Sequence, residues 1–87
     1  MVDTDQIDPM IYDTMQELAT RIGSRYLIWQ RSAKNAAEAR HWQATGFRIM
    51  REARAVNRYS KTAIEAKRAE LNAIWANMPK KAPTIME

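Results

Sequence analysis

Apolar residues recur along the chain at steps of three and four, the spacing that places side chains on one face of an α-helix. The first series begins after Asp8 and Pro9, a pair typical of a helix start because aspartate accepts from unpaired amides and proline fits the first turn. Its members are Ile11, Met15, Leu18, Ile22, Tyr26 and Trp29. This series predicts one amphipathic helix over residues 9–31.

Two further apolar series predict two more helices, over residues 36–57 and 61–78. The second series is Trp42, Ile49, Met50, Ala53 and Val56, and the third is Ile64, Leu71, Ile74, Trp75 and Met78. Asn35 and Glu38 have the spacing of an N-cap followed by a carboxylate, which predicts a break before the second helix. A single helix running through "RSAKNAAEAR" is the alternative, because that stretch contains no glycine or proline.

The ends of the later helices carry their own signals. Asn57 is expected to end the second helix by adopting the left-handed conformation. Either Ser60 or Thr62 is expected to cap the third helix, and Pro79 to stop it.

The residue types agree with a helical chain throughout. There are only two glycines and three prolines, and good helix formers dominate the interior. No stretch alternates cleanly between apolar and polar residues, as a half-buried strand does. We therefore predict an all-α fold, a small antiparallel hairpin or bundle of two or three helices with extended tails. The predicted layout is an acidic arm at 1–8, a helical domain at 9–78 and a C-terminal tail at 79–87.

The length and composition of the chain argue against several classes of protein. A chain of 87 residues has room for one small domain, and it contains no cysteine for a disulfide or thiolate site. No strictly apolar run is longer than four residues, far short of a membrane span. The acidic, polar N-terminus is unlike a signal peptide. These features lead us to expect a cytoplasmic protein that does not enter membranes.

Leu27 and Ile28 lie on either side of the first apolar series rather than within it. The segment 26–29 is therefore apolar around most of its circumference, which is typical of a helix enclosed by neighbours or by an oligomer. We expect Leu27 or Ile28 to contact a second copy or another protein.

Charge is distributed unevenly. Residues 1–20 hold five acidic residues and no base, whereas residues 21–87 hold all 14 Lys and Arg against five acids. Much of the positive charge follows the helical step: Arg40, Arg48, Arg51, Arg54, Arg58 and Lys61, with Phe47 among them. Arginine forms bidentate bonds to carboxylate and phosphate, so this stripe predicts a site for an anionic partner. A solvated face that only maintains solubility is the competing interpretation.

Motifs for catalysis or metal binding are not found in the sequence. The one histidine, His41, has no cysteine or second histidine with which to hold zinc. Gly23 and Gly46 stand alone within helical patterns, unlike the clustered glycines of phosphate-binding loops. We therefore predict no catalytic residue, no metal, no cofactor and no small-molecule substrate.

The sequence favours a non-enzymatic helical interaction module, a small subunit or accessory factor of a larger assembly. Its basic helix face would dock on an anionic partner, with a protein or a second copy preferred. A nucleic-acid-binding accessory or regulatory protein is the first alternative, because an aromatic ring beside arginines is one pattern of nucleic-acid contact. A small inhibitor from a mobile element is the second.

Overall fold

The computed structural model describes residues 8–83, and that part of the chain contains three α-helices and no strand. Helix α1 spans Pro9–Arg31, α2 spans Ala36–Arg54 and α3 spans Lys61–Asn77. The all-α prediction is confirmed, with three helices rather than two. Residues 1–7 of the predicted arm and residues 84–87 of the predicted tail lie outside the described part.

The first two helices begin at polar caps. The Asp8 carboxylate accepts from the amide of Met10 at 2.9 Å, and Pro9 occupies the first turn. Asn35 Oδ1 accepts from the amide of Glu38 at 2.8 Å. The chain therefore breaks between α1 and α2, and the alternative of one continuous helix is wrong.

The connection from α2 to α3 differs from the sequence prediction in two details. Helix α2 ends at Arg54 rather than at residue 57. Asn57 does not adopt the left-handed conformation, since no described non-glycine residue has a positive φ; its side chain instead accepts from the amide of Tyr59 at 2.9 Å. Ser60 caps α3 by accepting from the amide of Ala63 at 3.1 Å.

Helix α1 lies between the other two and contacts both. It runs antiparallel to α2, as shown by the Gln16 side-chain amide, which donates to the Ala53 carbonyl at 2.7 Å. It runs parallel to α3, since the α3 N-terminal side lies near Tyr12 and the C-terminal side near Arg25. The largest fully buried side chains come from α1 and α3, and they are Met15, Ile22, Ile64 and Leu71.

An arginine and a tryptophan of α1 attach α3 and the segment after it to the rest of the bundle. The Arg25 guanidinium lies 4.7 Å from the ring centre of Trp75 and donates to the Pro79 carbonyl at 3.0 Å. The buried Trp29 indole donates to the Lys80 carbonyl at 3.3 Å. Residues 79–83 therefore lie along the C-terminal end of α1, covering one side of it.

The cap of α3 gives a direct test of this local structure. We expect Ser60→Ala to lower the free energy of unfolding by about 1 kcal/mol, because the Ala63 amide loses its acceptor. Thr62→Ala is the matched control: Thr62 is exposed and lies inside the first turn of α3, so its loss should change stability little. Urea denaturation followed by circular dichroism measures both. An equal loss for the two variants would contradict the assignment of Ser60 as the cap.

Candidate interaction surface

The outer face of α2 carries half of the basic residues of the predicted stripe, together with Phe47. Arg40, Phe47, Arg51 and Arg54 are exposed, and at 3.6 residues per turn they fall within an arc of about 60°. The opposite side of α2 carries the buried Ile49, which belongs to the core. Because one face of α2 must pack against α1, the arginines are directed away from the core, and we call this set the α2 arginine face.

Arg48 lies apart from the α2 arginine face, about 60° further round the helix. Its guanidinium is 4.0 Å from the carboxylate of Glu52. The same carboxylate is 3.4 Å from the Lys67 ammonium of α3, and Lys67 also pairs with Glu70 at 3.1 Å. Arg48 therefore belongs to a mixed-charge cluster where α2 and α3 meet.

The two remaining members of the predicted stripe are not on α2. Helix α2 ends at Arg54, so Arg58 lies in the connection and Lys61 begins α3. The Arg58 guanidinium lies 4.7 Å from the ring centre of Tyr12 in α1. A single continuous stripe from 48 to 61 is thus not present, because the chain turns before the last two basic residues.

The structure separates Leu27 from Ile28 and brings Leu27 close to Phe47. Both Leu27 and Phe47 line a groove of about 220 Å³ between α1 and α2. Ile28 instead borders a second concavity, of about 640 Å³, between the α1–α2 connection and residues 80–83. Leu27 is 44% exposed and Ile28 55%, so the described bundle encloses neither.

The groove between α1 and α2, hereafter the α1–α2 groove, is shallow because the two helix backbones approach closely beneath it. A Cβ atom at Gly46 would lie 3.2 Å from the Cβ of Tyr26, and one at Gly23 would lie 2.8 Å from the sulfur of Met50. The side chains along its rims are Thr20, Ser24 and Leu27 on α1, and Gln43, Phe47 and Met50 on α2. Sequence reasoning missed the two glycines, although their isolation within helices is the signal of a close approach.

Three aromatic rings pack together at one end of the α1–α2 groove. Trp29 and Trp42 are buried with their ring centres 4.8 Å apart, and the Tyr26 ring lies 5.2 Å from Trp29 and 5.8 Å from Trp42. The Trp42 indole donates to the Glu38 carboxylate at 3.4 Å. This cluster gives the groove a rigid wall, because the rings restrict one another.

Burial raises the pKa of the Tyr26 phenol above its ordinary value of 10.0, while the positive charge of Arg48 acts in the opposite direction. The larger effect is the removal of the phenolate from water, which disfavours its charge. Tyr26 is therefore neutral at physiological pH and serves as a packing residue.

The described residues contain no cluster of three or more His, Asp or Glu side chains that could hold a metal ion. His41 is exposed, and its ring packs edge-on against Trp42 with 4.7 Å between ring centres. Among residues 8–83 there is no helix with the length and apolar character needed to cross a membrane.

No protein-family model matches the sequence, and neither curated proteins nor solved structures give a significant match.

The raised pKa of Tyr26 gives a pH dependence with a defined sign. Because the folded state holds the phenolic proton more tightly than the unfolded chain, the stabilisation is present below pH 10.0 and is lost as pH rises through the folded pKa. We expect Tyr26→Phe to flatten the decline in stability above pH 10.0, with little change near pH 7. Urea unfolding between pH 7 and about 11.5 tests this. An unchanged slope in the variant would show that Tyr26 is not the group responsible.

Proposed function

We propose that this protein is a non-enzymatic interaction module, a small subunit or accessory factor of a larger assembly, which docks its α2 arginine face on an acidic protein surface. The observation that carries the proposal is Phe47, which is 63% exposed among Arg40, Arg51 and Arg54 and beside the α1–α2 groove. Covering this exposed apolar ring with a partner would favour binding, because the removal of apolar surface from water lowers the free energy.

The composition of this surface supports a protein partner. Aromatic residues, methionine and arginine are the types enriched in the centres of protein interfaces, and energetic hot spots are often arginine or aromatic. Here Phe47 and Met50 line the groove, and Arg51 and Arg54 lie on the outer side of the same helix. A partner with an apolar side chain and flanking carboxylates would satisfy both features together.

The single sign of charge on the α2 arginine face argues against a purely solubilising role for it. In the described part of the chain, Arg48 and Lys67 have carboxylate neighbours, whereas Arg40, Arg51 and Arg54 have none within 4.0 Å. A face that only maintains solubility usually mixes both signs of charge. The single sign of the α2 arginine face favours a partner that brings the acidic groups.

Nucleic acid is the second candidate, and the same exposed ring favours it. Phe47 stands among arginines in the way that aromatic residues do when bases stack on them. The net charge is only +4 at pH 7, however, and Asp13 and Glu17 are exposed on the neighbouring helix. Those acids disfavour a phosphate backbone laid across both helices, so we favour protein.

Site-specific photocrosslinking tests the proposal. A photoreactive phenylalanine derivative at position 47 is expected to form covalent adducts with protein in cells that express the chain. The matched control is position 59, because Tyr59 has the same 63% exposure but lies in the α2–α3 connection. Adducts at 47 and few at 59 are the expected result. Equal adducts at both positions, or none at 47, would contradict a docking surface here.

Charge reversal separates specific docking from general attraction. The variant Arg40→Glu/Arg51→Glu/Arg54→Glu is expected to abolish the adducts at position 47. The control Lys34→Glu/Arg68→Glu/Lys81→Glu changes net charge by the same amount at exposed positions elsewhere and should preserve them. If the partner is nucleic acid, nuclease treatment removes the adducts, and affinity for random DNA falls steeply with salt.

A further inference from the structure

We infer that Arg51 and Arg54 of the α2 arginine face meet the acidic N-terminal half of α1 in a second copy of this chain. This inference rests on the proposed function and names its partner. It follows from the placement of opposite charges on the two helices that border the α1–α2 groove.

Acidic and basic residues lie on opposite sides of this groove. Asp13 and Glu17 are exposed on the outer side of α1, four residues apart, and Arg51 and Arg54 are exposed on the outer side of α2, three apart. Ion pairs recorded among residues 8–83 involve none of these four side chains. The charges are therefore arranged to attract, and within the described part of one copy they are not paired with one another.

The contacts between α1 and α2 show that the two charged pairs lie at the same height in the bundle. Gln16 lies level with Ala53, since its amide donates to that carbonyl. The Gly46 position faces Gly23 and Tyr26 in the same way. By this antiparallel register, Glu17 lies level with the last turn of α2 and Asp13 with the residues just after it, so Arg51 and Arg54 lie within about one helical turn of the two carboxylates.

A twofold axis parallel to the helices brings these charges together. Such an axis places α1 of each copy against α2 of the other. Each residue then has the same position along the helix axes in both copies. Asp13 then meets the partner's Arg54, and Glu17 meets the partner's Arg51. Because a twofold interface is self-complementary, each pair forms twice.

The centre of the same interface is apolar. Phe47 lies near the height of Gly23, so it faces the partner's α1 where Thr20 and Ser24 present small side chains above the shallow groove. This packing would remove from water a ring that one copy leaves 63% exposed. Two such rings per dimer supply the apolar contact that ion pairs alone do not provide.

The small area of the proposed interface predicts a weak but specific dimer. The face of two adjacent helices, each about 10 Å wide and about 28 Å long, measures roughly 560 Å². Two copies would then bury about 1,100 Å², at the low end of specific protein interfaces. Near the C-terminal end of α1, the exposed Arg31 of one copy lies opposite the exposed Arg40 of the other. The repulsion between these two like charges weakens the dimer further.

Exchange of charges between two chains tests the inference with its own controls. We expect the wild-type chain to dimerise at concentrations of about 100–500 μM in low salt, by analytical ultracentrifugation. Glu17→Arg alone and Arg51→Glu alone should each be monomeric, because like charges then meet in the homodimer. An equimolar mixture of these two chains should form a heterodimer, since both ion pairs between the two copies regain opposite signs.

The control chains Glu65→Arg and Arg68→Glu, altered at exposed α3 positions, should dimerise as wild type does.

Arg40→Glu distinguishes a second copy from any other acidic partner. In the proposed dimer this change replaces repulsion with attraction toward the partner's Arg31, so the dissociation constant should fall about three-fold or more. Against an unrelated acidic protein the same change should weaken binding. Circular dichroism confirms that each variant is folded before it is compared.

The outcomes separate this inference from the proposed function. A monomeric wild-type chain at 500 μM, together with a mixture that does not associate, overturns the second copy as partner. If position 47 still crosslinks to a different protein, the docking function stands and only the identity of the partner changes. If position 47 crosslinks to nothing and no dimer forms, both are overturned.

Discussion

The close approach of α1 and α2 at Gly23 and Gly46 is the constraint on which the rest of the structure depends. At Gly46, a side chain as small as alanine would press on the Cβ of Tyr26, an atom fixed to the α1 backbone. The resulting contact sets the register of the two helices. That register stacks Tyr26 on Trp42 at one end and aligns Gln16 with Ala53 at the other.

The position of α3 explains why one side of this helix pair is covered and the other is exposed. Trp75 lies beneath the Arg25 guanidinium, and the backbone after α3 accepts hydrogen bonds from Arg25 and Trp29. These contacts hold α3 and residues 79–80 against one side of α1. The groove on the other side, with Leu27 and Phe47 at its rims, has no fourth helix to cover it among the described residues.

Arginine residues divide between structural and surface roles in a way that residue type alone does not indicate. Arg25 and Arg58 lie over aromatic rings, where a guanidinium is favoured because it stacks and is weakly hydrated. Arg48 shares a carboxylate with Lys67. The arginines on the outer side of α2 contact no carboxylate or aromatic ring in the described part of the chain, so their charge is available to a partner.

The local properties of this protein were determined by its sequence. Apolar residues at steps of three and four, with Asp8, Asn35 and either Ser60 or Thr62 as caps, predict two or three helices, because helix formation and capping depend on residues within one turn. The exposed positions of Arg40, Arg51 and Arg54 on α2 follow from the same periodicity. The end of α2 was predicted less well, because Asn57 could cap a turn of the connection as readily as it could end a helix.

Only the tertiary structure decided which of these faces meet. Leu27 and Phe47 are 20 positions apart in the sequence and share one groove, whereas the neighbours Leu27 and Ile28 border different concavities. Arg58, which continues the basic spacing in sequence, lies instead over Tyr12. The physical reason is that periodicity describes one helix at a time, while the relative height and orientation of two helices depend on the contacts between them, here the fit of Gly23 and Gly46 against their neighbours.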